Sequence, residues 1–368
     1  MRHELHAHPE LGTDLPWTQG RVLAALDGLP LEITCGTSST SVTAVLRGGA
    51  ADADLAGRPV VLLRGDMDGL PVPEDTGQQF ASTIEGRMHA CGHDMHTSTL
   101  VGAARVLCKH REHLRGDVVF MFQTGEEVLL GARCMLAEGV LDAAGKRADR
   151  AFGLHAASAQ FDTGTFHVRP GPMMAACDTL TADIIGIGGH GSTPDKANDP
   201  VPVMAEVILA LQTVVTRKFS IFDPVVVNVG VANAGGACNV VPQRCHIEAA
   251  VRSFSPEARE KLGVLLPQLV TDVCTAHGCR ADVQWTLGVP PTINHEGPTQ
   301  FALAQMRELF GDQRTVVMDE PLAGSEDFAF VLEEVPGCFI FYSAVPANLP
   351  LEQATFNHAT TAMFDDAP

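Results

Sequence analysis

In the stretch MHACGHDMHTST, residues 88–99, three histidines, a cysteine and an aspartate crowd between His89 and His96. Cys91 and His93 stand one residue apart on a loop that opens a helical pattern. Thiolate and imidazole together suit a borderline-soft divalent ion such as Zn, and also Mn, Co or Ni. A thiol nucleophile with a histidine base is the rival reading, and a polar turn without chemistry is the third. A second pair of chemically able residues, Glu126 and Glu127, lies in TGEEVLLG. Adjacent glutamates are most often solvated. These two directly follow the buried-strand pattern VVFMFQ, where successive side chains point in different directions. One could ligate a metal while the other holds a metal-bound water, the division of labour that metal-assisted hydrolysis requires. The residues alone leave open which glutamate does which.

The elements that must carry these residues form an alternating series. RPVVLLRGDMD (58–68), GDVVFMFQTGEE (116–127) and DRAFGLHA (149–156) read as apolar strands, with helical patterns at TSTLVGAARVLCKH (97–110) and GARCMLAEGVL (131–141) between them. Continuous apolar strands separated by helices predict an α/β domain with a parallel or mixed sheet covered on both faces. Asp66, Asp68, Glu126, Glu127 and His155 all fall at carboxyl ends of these strands, where open α/β sheets bind ligands. The shared position is a reason to treat them as one site, and it favours metal over thiol catalysis. GGAADADLAGRP (48–59) reads as a long hairpin loop.

Near residue 178 the pattern changes. Strand, helix, strand, strand, helix, strand follow over 179–285, with Ser255 as a candidate N-cap of the second helix. That β-α-β-β-α-β order predicts an inserted α+β ferredoxin-like domain. A helical pattern near 299–311, the segment GSEDF and a strand at 337–344 resume the first style. The expected division is a discontinuous catalytic domain, 1–177 and 289–368, around an inserted satellite domain, 178–288.

Composition bounds the partners. With a formal net charge of -19, the chain lacks the basic face that nucleic acid or an anionic membrane requires. No apolar run is read as approaching the roughly 20 residues that span a bilayer, and no signal-peptide pattern opens the chain. The ten cysteines are scattered, so reduced and mostly buried thiols and a cytoplasmic location are expected.

Nine segments in order, RHELHAHPELG, RGDMDGLP, MHACGHDMHT, QTGEEVLLGA, GLHA, GGHGSTPDKANDPV, NVVPQ, GSEDF and NHATTAMFDD, span nearly the whole chain. Together they resemble the M20 metallopeptidase family, in particular its amidohydrolase branch (subfamily D). That branch includes aminoacylases, hippurate hydrolases, N-acetyldiaminopimelate deacetylases and auxin-conjugate hydrolases. The resemblance implies two divalent metal ions per subunit (Zn, Mn, Co or Ni), held by Cys91, His93, Glu127, His155 and His358. It implies Glu126 as general base, Asp68 as the acid behind the ligands, and Asp66 and His96 as groups that orient them. In the inserted domain it implies His190 as the donor to a developing oxyanion, and Asn239 and Arg252 as holders of a substrate carboxylate. Gly324 and Ser325 are implied as pocket wall. The implied substrate is a small N-acyl amino acid; the alternatives are a carboxypeptidase or dipeptidase of the same chemistry, or a silent metal-binding protein. A homodimer or homotetramer through the satellite domain is also implied. Where the family usually has a glycine-rich run after the glutamates, this chain has EEVLLGA, so a different pocket shape is expected there.

Overall fold

A computed structural model describes residues 1–51 and 57–367. The chain forms two compact units, one of residues 1–173, 293–320 and 326–368, the other of 174–292 with 321–325.

The first unit is built on an eight-stranded mixed sheet. Its centre is four parallel strands in the order Asp117–Gln123, Val60–Asp66, Arg150–Ala157, Gly337–Ser343. Every residue of Asp117–Gln123 and of Gly337–Ser343 is buried, as unbroken apolar runs require when both faces of a sheet are covered. Because the four run the same way, their carboxyl ends share one edge. Leu31–Cys35 and Val42–Leu46 add antiparallel strands beside Asp117–Gln123, and Phe166–Val168 and Thr315–Val317 complete the other side. Helix His93–Lys109 packs on the Val60–Asp66 strand and on helix Pro16–Leu26, closing a core of Val22, Leu26, Leu46, Leu100, Phe120 and Phe122.

The segment 48–59 corrects one expectation. Residues 52–56 lie outside the described residues, but the strands on either side of the segment, Val42–Leu46 and Val60–Asp66, do not pair; Asp117–Gln123 lies between them. The connection is therefore no hairpin. Periodicity identifies a strand without saying which strand becomes its neighbour.

The second unit has a four-stranded antiparallel sheet in the order Arg280–Val289, Cys177–Ile185, Arg244–Ser253, Val225–Ala234. Helices Pro200–Lys218 and Pro256–Ala276 bury Val203, Val207, Leu211, Leu262, Leu266 and Val270 in its core. Both helices start on side-chain caps: Asp199 accepts from the Val201 N–H, and Ser255 Oγ from the Ala258 N–H. Residues 321–325 join this unit because Arg252 donates to the Ala323 carbonyl (2.9 Å) and Ser325 Oγ (2.8 Å), and the Ala175 N–H to the carbonyl of Gly324 (2.9 Å). One expectation is corrected here too. Pro200–Lys218 is long and apolar enough to cross a membrane by length and composition. Its Val203, Val207, Leu211 and Val214 instead fill this core, one face of a helix on a sheet.

Candidate metal and catalytic site

The carboxyl edge of the parallel strands gathers side chains from five segments of the first unit. Asp66 ends its strand and Asp68 follows; Glu126 and Glu127 lie on the turn after Asp117–Gln123; His155 is near the end of Arg150–Ala157. Cys91 and His93 flank Gly92 at the start of helix His93–Lys109. Gly92 has φ +86°, and a Cβ there would stand 3.0 Å from Phe364 and 3.2 Å from Ala156, so only glycine lets cysteine and histidine both turn inward. His358 comes from the loop beyond Gly337–Ser343.

These groups converge. Cys91 Sγ lies 3.5 Å from His155 Nε2 and 3.3 Å from His358 Nε2. His358 Nε2 is 3.4 Å from Glu127 Oε2, and His93 Nε2 is 3.7 Å from Glu127 Oε1 and 3.9 Å from Glu126 Oε2. Cys91, His93 and His155 form one compact triad, and Cys91, Glu127 and His358 another. Cys91 belongs to both. All are buried or nearly so except His358, which is half exposed at the mouth.

Asp68 organises this set through the backbone. Its two oxygens accept from the N–H groups of Glu126 (3.2 Å) and Glu127 (3.1 Å), and Oδ1 also stands 3.3 Å from His93 Nδ1. The remaining histidines of the opening stretch do different work. His96 Nε2 accepts from the Ala156 N–H (2.7 Å), so its proton sits on Nδ1 and is donated to Asp66 Oδ1 (2.5 Å). With both nitrogens used, His96 ties two strand ends together rather than offering a ligand atom. His89 is buried away from the cluster, and neither of its nitrogens makes a hydrogen bond.

Burial dominates the electrostatics. It raises the Glu126 carboxyl well above the usual range, with charge from Glu326 and Glu127 adding, and raises Glu127 to about 7. It pushes the Cys91 thiol up and His155 well down. For His93 burial opposes the cation, but Asp66, Cys91 and Asp68 outweigh it and raise the imidazole. A reactive cysteine needs a lowered pKa and an electropositive surrounding. Cys91 has the reverse, which argues against the thiol-nucleophile reading. A divalent ion would add the positive charge that lets the buried Glu127 carboxyl and Cys91 thiol ionise. The donor set fits such an ion: His93 Nε2 and Glu127 Oε1 are buried with no hydrogen-bond partner, and sulfur, imidazole and carboxylate converge on them.

A group behind the site was not anticipated from sequence. Arg64, fully buried, reaches Asp66 (2.5 Å), Glu326 (2.6 Å) and the Gln123 side chain (3.0 Å). Gln123 and the Ala132 N–H in turn donate to Asp327 (2.6 and 2.9 Å). One guanidinium thus cross-links two strand ends and the loop that precedes helix Ala329–Glu334. Glu326 and Asp327 belong to GSEDF, the segment that also holds Gly324 and Ser325. The signal was an arginine inside an apolar strand beside two acids far away in sequence.

In the second unit, His190 pairs with Val240 across a short two-stranded sheet, and the Gly191 N–H donates to the Asn239 carbonyl (2.9 Å), so His190 and Asn239 are neighbours. His190 Nδ1 accepts from the Ser192 N–H (3.1 Å), which leaves its proton on an exposed Nε2. Arg252 is tied to Ser325 as described, and Gly324 packs against Met174.

The chain is 34% identical to the N-acetylcysteine deacetylase of Bacillus subtilis (strain 168), over 93% of this chain and 86% of that protein. It is 32% identical to the hippurate hydrolase of Campylobacter jejuni, over 100% of this chain and 91% of that protein. Among solved structures, the YXEP protein of Bacillus subtilis, described as a dinuclear metal binding peptidase from the M20 family, matches with a TM-score of 0.82 and 30% identity, over 99% of this chain and 91% of that one. The model of peptidase family M20/M25/M40 matches residues 62–359, from the strand that ends in Asp66 to the loop that carries His358. By that extent of match, the chain belongs to peptidase family M20/M25/M40.

Proposed function

We propose that the chain hydrolyses the amide bond of N-acyl-L-amino acids, releasing a carboxylate and the free amino acid. The observation that carries this is the position of Glu126: a buried carboxylate on the same turn as Glu127, with His93 Nε2 3.9 Å away. The family and the names of the relatives support an amide as the bond cleaved.

Cys91, His93, Glu127, His155 and His358 would hold two divalent ions, which supply Lewis acidity and lower the pKa of water. Glu126 takes the proton of the attacking water and returns it to the leaving amine. Asp68 holds both glutamates in register through their N–H groups while its carboxylate orients His93. From the family resemblance we assign the Nε2–H of His190 to the developing oxyanion, and Asn239 and Arg252 to the substrate carboxylate. A homodimer or homotetramer and a cytoplasmic place of action belong to the same proposal, and light scattering on the purified chain tests the assembly.

The experiment is to strip the protein with chelator, restore Mn, Zn or Co in turn, and follow amine release from a panel of N-acyl amino acids and dipeptides. Metal-dependent release from the N-acyl substrates is expected. Glu126→Gln should keep its metal and lose about 10³-fold in kcat. Release from dipeptides alone would move the function to a peptidase, and no release with metal bound would make the chain a binding protein.

A further inference from the structure

Two segments meet at the contact between Glu127 Oε2 and His358 Nε2, and each brings exposed apolar side chains with it. Directly after Glu127 come Val128, 49% exposed, and Leu130, 51% exposed; two residues before His358 is Phe356, 65% exposed. Single exposed hydrophobics are ordinary. Three on the two turns that supply one pair of site residues are not scattered.

Both turns are held rigidly. The Leu129 N–H donates to the Glu126 carbonyl (2.7 Å), and those of Leu130 and Gly131 to the Gly125 carbonyl (3.1 Å each). On the other side Asn357 Nδ2 donates to the Ala156 carbonyl (2.9 Å) and the His358 N–H to the Ala90 carbonyl (2.8 Å). Three non-glycine residues adopt positive φ among the described residues, and two of them are here: Leu129 at +58° and His358 at +74°. A leucine in that conformation is strained, and such strain concentrates where surrounding structure fixes a functional geometry.

From this we propose that Val128, Leu130 and Phe356 form the acyl-binding rim of the site, and that the acyl group it selects is apolar and larger than acetyl. The proposal rests on the amidohydrolase reading above. The scissile carbonyl must sit beside Glu126, so its substituent extends only a few bonds from the same turn. An acyl chain of six carbons or a phenyl ring there has apolar area to withdraw from water against the three side chains, and an acetyl methyl has far less.

The test compares kcat/KM for N-acetyl, N-hexanoyl and N-benzoyl derivatives of one amino acid, in the metal-loaded protein and in Val128→Ser/Leu130→Ser and Phe356→Ser variants. The readout is the ratio of each large acyl group to acetyl within one preparation, so the fraction of active protein cancels. The wild type should favour hexanoyl or benzoyl at least about tenfold, and the variants should cut that ratio by about tenfold, the range that small changes in an apolar pocket produce. A wild type that prefers acetyl, or variants that keep the wild-type ratio, would overturn the rim. A wild type that cleaves no N-acyl amino acid overturns the amidohydrolase reading instead, and the rim with it. Phe356→Ser stands alone as the readout if the double variant does not fold.

Discussion

Asp68 and Glu126 are joined not side chain to side chain but carboxylate to backbone: Asp68 Oδ1 accepts the Glu126 N–H at 3.2 Å, while Oδ2 takes the Glu127 N–H. The same Oδ1 stands 3.3 Å from His93 Nδ1. A single carboxylate therefore sets the base and two ligand side chains at once.

Asp68→Asn keeps the shape but turns an NH₂ group toward one backbone N–H. The expected result is a 10- to 100-fold loss in metal affinity, the usual cost of removing a group that orients ligands. Metal titration followed by a chelating dye measures it. An affinity within twofold of wild type would show that Asp68 only shapes the turn.

Because Cys91 is common to the triad with His155 and the triad with His358, Cys91→Ser should weaken metal binding by roughly 100-fold or more. Metal analysis of the dialysed protein gives the stoichiometry. With Co bound, the near-ultraviolet thiolate absorption of the wild type should vanish in the variant, and its persistence would place the sulfur ligand elsewhere.

Gly131 closes the turn that carries both glutamates, and a Cβ there would lie 1.5 Å from the Thr124 carbonyl oxygen. No rotamer change relieves a clash with backbone. Gly131→Ala should cost at least ~3 kcal/mol of stability, the upper range for forcing an atom into a packed site. Denaturant unfolding monitored by circular dichroism is the check, and a near-normal midpoint would mean that the turn has room to rearrange.

A pH effect is expected at His6, whose partner Asp94 directly follows His93. His6 is buried between Asp94 (2.9 Å) and Glu74 (3.2 Å); burial opposes its cation, but the two carboxylates raise it to about 9. A raised folded pKa contributes stability that is full below the ordinary value near 6.5 and is lost as pH rises through about 9. At 1.36 kcal/mol per unit the contribution is at most ~3 kcal/mol. The thermal midpoint should fall between pH 7 and 9.5, and less steeply in His6→Gln. Parallel pH curves for the two proteins would assign the loss to other groups.

Much of this protein could be read before any coordinates. The run VVFMFQ is buried at every position, Ser255 caps its helix, and groups that meet at the carboxyl edge were legible too: Glu126, Glu127 and His155 from strand-end position, Cys91 and His93 from residue type and spacing on the loop that opens a helix. His358 was legible only through family resemblance, since it lies in a loop with no periodic pattern around it. The same limit explains the mistaken hairpin at 48–59 and the membrane-like Pro200–Lys218 helix: composition says that a segment is apolar, not what it packs against. Sequence by itself determined which elements form and which residue types can ligate, because both follow from local spacing and side-chain chemistry. Only the tertiary structure decided that Arg64 faces Asp66, Glu326 and Gln123, that residues 321–325 belong with Arg252, and that Val128, Leu130 and Phe356 flank one pair of site residues. Those contacts join positions far apart along the chain, and a contact of that kind exists only once the strands have chosen their order.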